Sequence, residues 1–269
     1  MKPAKVTPLA AGGAALGAAV EDGDEAAAGS QTLRAQLLLR EAIVGGTLKA
    51  GERVTELALA ERLGMSRTPI RAALTRLLDE GLLEALPGGG YVVRDFSEAD
   101  IRDAIELRGT LEGLAARLAA ERGCGTATLA GLREAVARID ELLAAPGLSE
   151  AAFAAYGEHN ARLHALLAEA CGSALVQRQL ERACRLPFAS PNAFVMLRTT
   201  GTAARDRLLV AHEQHRAVVE AIARGEGARA EALMREHARN AHANLGEALA
   251  SQQALQRLPG ASLIRRGAR

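Results

Sequence analysis

From Gln31 onward the apolar positions fall into helical step. Leu33, Leu37, Leu38 and Ile43 recur at helical spacing as far as Gly45 and Gly46, and a short helix over 56–63 fits behind the cap candidate Thr55 before Gly64 stops it. After the tight turn Gly64-Met65-Ser66, Ser66 is placed to cap a third helix running to Glu80, whose first turn tolerates Pro69 because that amide has no partner there. Two short apolar segments, 82–86 and 91–94, flank Pro87-Gly88-Gly89-Gly90 and read as a β-hairpin. Ser97 with Asp100 then signals a helix start, and long amphipathic helices are expected near 98–121, 126–144, 149–170, 173–185, 204–224 and 227–249, with an irregular stretch about Pro187 and Pro191. Residues 1–30 carry Ala, Gly and acids without periodic apolar partners, which predicts a disordered leader, and 251–269 reads as a flexible tail.

Helix, helix, tight turn, helix and hairpin within 31–95 is the layout of a winged helix-turn-helix domain, its third helix placed for the DNA major groove. The expected fold is therefore mainly α: this N-terminal domain followed, over 97–250, by an all-α antiparallel helical bundle. Composition agrees: 269 residues with 49% hydrophobic side chains, 2% aromatics and no Trp favour helices over a β-sandwich. No run reaches the roughly 20 apolar residues of a spanning helix. The stretch from Leu9 to Val20 lacks a Leu-rich centre and runs into Glu21, so it reads as a tail rather than a signal peptide, and three widely spaced cysteines without a CxxC fit a reducing, cytoplasmic setting.

The net charge of +1 argues against a nucleic-acid partner until charge is placed by position. Ser66 to Leu78 holds Arg67, Arg71 and Arg76 and no acid. Arg67 and Arg71, four apart, share a helix face near its N-terminus, where base edges and phosphates are reached; Arg suits guanine, and Ser66 and Thr68 can bind phosphate. A basic helix alone is often only solvated, and the hairpin in the right place is what favours double-stranded DNA as partner.

In the bundle, polar residues interrupt three apolar stripes. Asn160 and His164 share one face of the helix over 149–170; His215 sits mid-stripe between Ala211 and Val218, and His237 between Leu233 and Ala241. His215 and His237 lie eleven residues before and after Glu226 in the turn joining the last two helices, so in an antiparallel pair both stand about 16 Å from that turn and face one another. One amide oxygen and three imidazoles would then converge, a set suited to zinc, or to nickel or manganese. A single core histidine is more often merely packed; three together point to a site. His159, His212 and His242 fall off the stripes as surface or supporting residues. Arg108 lies inside its own helix's apolar stripe and needs an anion, either an internal acid such as Glu112 or a ligand carboxylate.

The run ELALAERLGMSRTPIRAALTRLLDEGLLEALPGGGYVV resembles the DNA-binding domain of GntR-family transcription regulators. The resemblance implies operator contacts by Ser66, Arg67, Thr68 and Arg71 and a minor-groove contact by a wing glycine, Gly88 or Gly90. Leu57 stands where some members carry a basic residue. DAIELRGTLEGLAARLAA, then NARLH, then HRAVVEAIARGEGARAEALMREH resemble the FCD effector domain of the FadR branch, in which an Asp four residues before a His and two further histidines bind a divalent metal; Asn160, His164, His215 and His237 match, with neutral Asn for Asp. RDAIELRGTLEGLAARLAAERG and LLVAHEQHRAVVEAI are similar to VanR-type regulators, which implies vanillate or a related aromatic acid as effector. The expected function is a homodimeric repressor released from a near-palindromic operator by a small organic acid; the alternative is a regulator for which the ion itself is the signal. HExxH, nucleophile-elbow and phosphate-loop motifs are absent, so no enzyme is expected.

Overall fold

A computed structural model describes residues 16–145, 149–186, 188–193, 202–251, 255 and 258–265, without the side chains of 16–28 and 202–204. Helix α1, Leu16–Val44, leads into β1, Arg53–Val54; α2, Glu56–Leu63; and α3, Arg67–Asp79. Strands β2, Leu83–Ala85, and β3, Tyr91–Val93, follow, and then α4, Glu98–Arg122; α5, Thr126–Ala144; α6, Glu150–Ala170; α7, Ala174–Cys184; α8, Thr202–Ala223; and α9, Gly227–Ala250.

Caps and periodicity set these boundaries. The Thr55 hydroxyl accepts from the Ala58 amide at 3.2 Å, and Gly64 ends α2 in the left-handed region at φ 62°. Ile70, Ala73, Leu74 and Leu77 turn one face of α3 inward. Ser97 and Asp100 form a reciprocal capping box at the start of α4. The hairpin gains a strand that sequence alone did not indicate: β1 pairs antiparallel with β3, Arg53 opposite Val92, giving the order β1-β3-β2. Two residues are too few for an alternating pattern to register.

Two expectations are corrected. Helix α1 begins at Leu16, so 16–30 are helical rather than a disordered leader; 1–15 lie outside the described residues. The C-terminal stretch is no loose tail. Leu255, Leu258, Leu263 and Ile264 are buried in the same core as Ile43, Leu48, Ile70 and Phe96 of the DNA-binding domain. The Phe96 amide donates to the Leu263 carbonyl at 2.7 Å, the Arg265 amide to the Phe96 carbonyl at 2.9 Å, and the Gly260 amide to the Val44 carbonyl at 3.1 Å. Apolar burial accounts for the docking, and its four anchors are too widely spaced for a helical stripe to reveal them.

Helices α4 and α9 run through both halves. Ile101 and Ile105 of α4, with Leu245 and Ala248 of α9, lie in the core of the DNA-binding domain, whereas Arg108 and Glu112 of α4 and His237 of α9 belong to the bundle. The two helices cross closely because Gly109 and Gly113 face α9: a Cβ on Gly109 would stand 2.6 Å from that of Ala238.

Candidate functional site

Two sites emerge, one on the DNA-binding domain and one about the middle of α4 and α9. On the DNA-binding domain, Ser66, Arg67, Thr68 and Arg71 are exposed. Ser66 stands at the N-cap of α3 with its hydroxyl unused for capping, which leaves it free for a phosphate. At roughly 100° per residue Arg67 and Arg71 lie about 40° apart around α3, but Arg76 is about 140° from Arg71. Arg76 donates to Gln36 of α1 at 3.1 Å, so it flanks the reading face that Arg67 and Arg71 share.

Glu56, in the first turn of α2, organises those two arginines and was not singled out in the sequence. Its Oε1 accepts from Arg71 Nε at 2.8 Å; its Oε2 accepts from Arg71 Nη2 at 3.0 Å and Arg67 Nη2 at 3.1 Å. The Arg71 hydrogen bond, with Arg67 beside it, holds the Glu56 carboxyl down at about 2. Arg71 is gripped side-on, so its Nη1 end stays available for a guanine edge. The wing glycines divide in role. Gly88 is exposed at the tip with open space about it, whereas Gly90, at φ 81°, packs against strand β1, where a Cβ would meet the Val54 carbonyl at 3.0 Å. Of the two, Gly88 is the more open.

In the bundle the structure brings the three stripe histidines together. One ligand atom from each of His164, His215 and His237 lies within 4.8 Å of the other two. His215 Nε2 and His237 Nε2 are 3.1 Å apart, and the rings are packed with centroids at 4.3 Å. Burial, then the neighbouring histidines, holds His215 and His237 well below the ordinary imidazole range, so both are neutral with lone pairs available. His164 points its Nδ1 at Glu112 Oε1, 2.7 Å away, and its buried Nε2 has no hydrogen-bond partner among the described residues.

Asn160, 2% exposed, donates through Nδ2 to Asn192 Oδ1 at 2.8 Å, and Asn192 donates in turn to the Gly157 carbonyl. Asn160 also lines a cavity beside His237. Three clustered imidazoles, with an orphaned Nε2 among them and Asn160 on that adjoining cavity, fit a borderline divalent ion such as zinc. His212, expected off the site, is buried at 1% exposure on α8, bonded through Nε2 to Asp140 at 2.6 Å, with its ring 5.9 Å from that of His215. It supports the cluster from behind.

Beside the histidines lies a cavity of about 180 Å³ lined by Arg108, Tyr156, Asn160, Arg207, His237 and Asn240, among others. Arg108 is 3% exposed and takes the internal acid as its partner: its Nη1 donates to Glu112 Oε2 at 2.6 Å, while Nε has no partner among the described residues and the side chain borders the cavity. Arg207 pairs with Glu247, and its buried Nη2 is likewise unpartnered among the described residues. Arg207, Asn192 and Asn240 escaped sequence reading. Arg207 and Asn240 look like ordinary surface polar residues of long helices, and Asn192 sits in the irregular stretch, where no periodicity assigns a direction.

Comparison with known proteins matches both domains. Residues 31–93 match the family model described as bacterial regulatory proteins, gntR family, and residues 103–240 match the FCD domain. An uncharacterized HTH-type transcriptional regulator from the TAR-I ttuE-ttuC' intergenic region of Agrobacterium vitis is 36% identical over 94 residues, 35% of this chain. The chain spans only 55% of that relative's length. The HTH-type transcriptional repressor GlaR of Escherichia coli (strain K12) is 29% identical over 74% of this chain and 88% of its own. Among solved structures, E. coli McbR/YncC shares the fold with a TM-score of 0.56 at 20% identity, over 81% of this chain and 98% of that one. Both domains are those of regulators rather than enzymes. The chain belongs to the gntR family of bacterial regulatory proteins and carries an FCD domain behind its winged helix-turn-helix.

Proposed function

We propose that this protein is a ligand-responsive repressor that binds a near-palindromic operator as a homodimer and is released by a small organic acid held beside a divalent metal. The observation that carries the reading is the juxtaposition of the histidine cluster with a cavity bordered by Arg108 and Arg207, each with a guanidinium nitrogen unpartnered among the described residues. Asn160, His164, His215 and His237 would hold the ion, and a bound dication would supply a positive centre for one end of an anion. Arg108 and Arg207 would take carboxylate oxygens, and Asn240 would orient polar substituents. At about 180 Å³ the cavity suits a compact acid; vanillate or a related aromatic carboxylate is the class to try first. GlaR is by name a repressor, which supports that sign of regulation.

Helices α4 and α9 provide the route from effector to DNA. Each passes the sensor site near its middle and has one end in the DNA-binding core, so a small shift at Arg108 or His237 would reorient the recognition helices. The test is an operator selected from random DNA, followed by gel shifts of zinc-loaded protein with and without a panel of carboxylates. The reading predicts binding that falls steeply with salt, that is lost in Arg67→Ala or Arg71→Ala, and that one acid abolishes. Unchanged binding in both variants would refute the DNA assignment. Release by metal alone would make the ion the signal.

A further inference from the structure

Glu112 lies at the centre of the sensor site without lining its cavity. It is 1% exposed on α4, and its two carboxylate oxygens are divided: Oε2 accepts from Arg108 Nη1 at 2.6 Å, one helical turn earlier, and Oε1 faces His164 Nδ1 at 2.7 Å on α6. An ionised carboxylate is an acceptor only, so the proton in the second contact sits on His164 Nδ1. That fixes the tautomer and leaves the lone pair on Nε2, the buried atom without a hydrogen-bond partner among the described residues, on a ring whose centroid lies 5.6 Å from that of His215 and 5.3 Å from that of His237. Neither His215 nor His237 has such a carboxylate: their Nδ1 atoms are buried without partners among the described residues.

We infer that Glu112 is the positioning residue of the sensor site, holding His164 in the Nδ1–H tautomer for a metal with one oxygen and anchoring Arg108 at the anion cavity with the other. This rests on the metal- and acid-binding reading proposed above. One buried carboxylate thereby joins the two halves of the site: an acid that draws on Arg108 acts on the same group that orients a metal ligand. Outer carboxylates of this kind both orient an imidazole and raise its basicity.

The test uses the full-length chain. Zinc affinity is measured by competition with a chromogenic chelator for the wild type, for Glu112→Gln, and for the double variant Arg108→Leu with Glu112→Leu. The double variant removes the buried pair together and leaves no unpaired charge, so it keeps the fold where the single variant fails to. Thermal melts verify folding, and long-range ¹H–¹⁵N spectra of the metal-free protein report the His164 tautomer. The inference predicts a zinc affinity 10- to 100-fold weaker in the folded variants, and an Nδ1–H signature for His164 in the wild type that is lost in them. Equal zinc affinity in the wild type and the folded double variant, or an Nε2–H His164 in the wild type, overturns it. No zinc bound by the wild type overturns the metal reading and this inference with it.

Discussion

Leu263 offers a sharp test of how the chain is held together. It is fully buried, at 0% exposure, inside the core of the DNA-binding domain, yet it belongs to the last few residues of the sequence, and its carbonyl accepts from the Phe96 amide at 2.7 Å. Leu263→Ala keeps the backbone hydrogen bond and removes side-chain atoms from a packed core, a change that costs about 2–5 kcal/mol. For a chain of this size each kcal/mol moves the melting temperature by roughly 2–4 °C, so a drop of about 4–20 °C is expected by circular dichroism. Leu57→Ala, at a side chain 58% exposed, serves as the control and should stay within about 0.5 kcal/mol of the wild type. If Leu263→Ala melts with the wild type, the C-terminal segment does not pack on the DNA-binding domain.

Two further outcomes follow from the same contacts. Burial lowers His215 and His237 in the fold, so each is neutral there while the unfolded chain charges it below its ordinary value near 6.5; their contribution is whole above that pH and is lost as the pH falls. If both stay neutral, the two together cost about 3 kcal/mol between pH 7.5 and 5.5; His212 adds in the same direction, while Glu112 and Asp140, lowered carboxyls facing the cluster, add only below the carboxylate range. Urea midpoints across that range should fall, and a flat profile would mean the histidines are not buried. Glycine substitutions should have opposite signs. Gly109→Ala drives a Cβ to 2.6 Å from Ala238 and should lose about 1–3 kcal/mol to overpacking, whereas Gly246→Ala in α9, with open space around it, should gain up to about 1 kcal/mol from helix propensity; thermal melts of the two variants check this.

The helices were legible because their apolar positions repeat and their ends carry caps: Thr55, Gly64 and the Ser97–Asp100 box fall where the sequence placed them. The histidines were legible for a related reason: each interrupts an apolar stripe, and one short turn fixes the level of His215 and His237 along antiparallel helices. What escaped depends on the third dimension. Glu56 reads as an ordinary first-turn acid of α2 until α3 is folded against it. Glu112 reads as an i,i+4 partner of Arg108, and only the packing of α6 reveals its second bond, to His164. Leu258, Leu263 and Ile264, among arginines and glycines, have no pattern that announces burial against a domain two hundred residues earlier in the chain.

The most direct test of the central claim is a thermal-shift titration of the zinc-loaded full-length protein with small carboxylates, vanillate among them, alongside Arg207→Met at the half-exposed edge of the cavity. A ligand that binds only the folded chain raises the melting temperature by mass action, about 2.7 kcal/mol at a hundred times its Kd. The account predicts that at least one compact acid raises the wild-type melting temperature and raises that of Arg207→Met much less. A strong shift with zinc alone and none with any acid would contradict it.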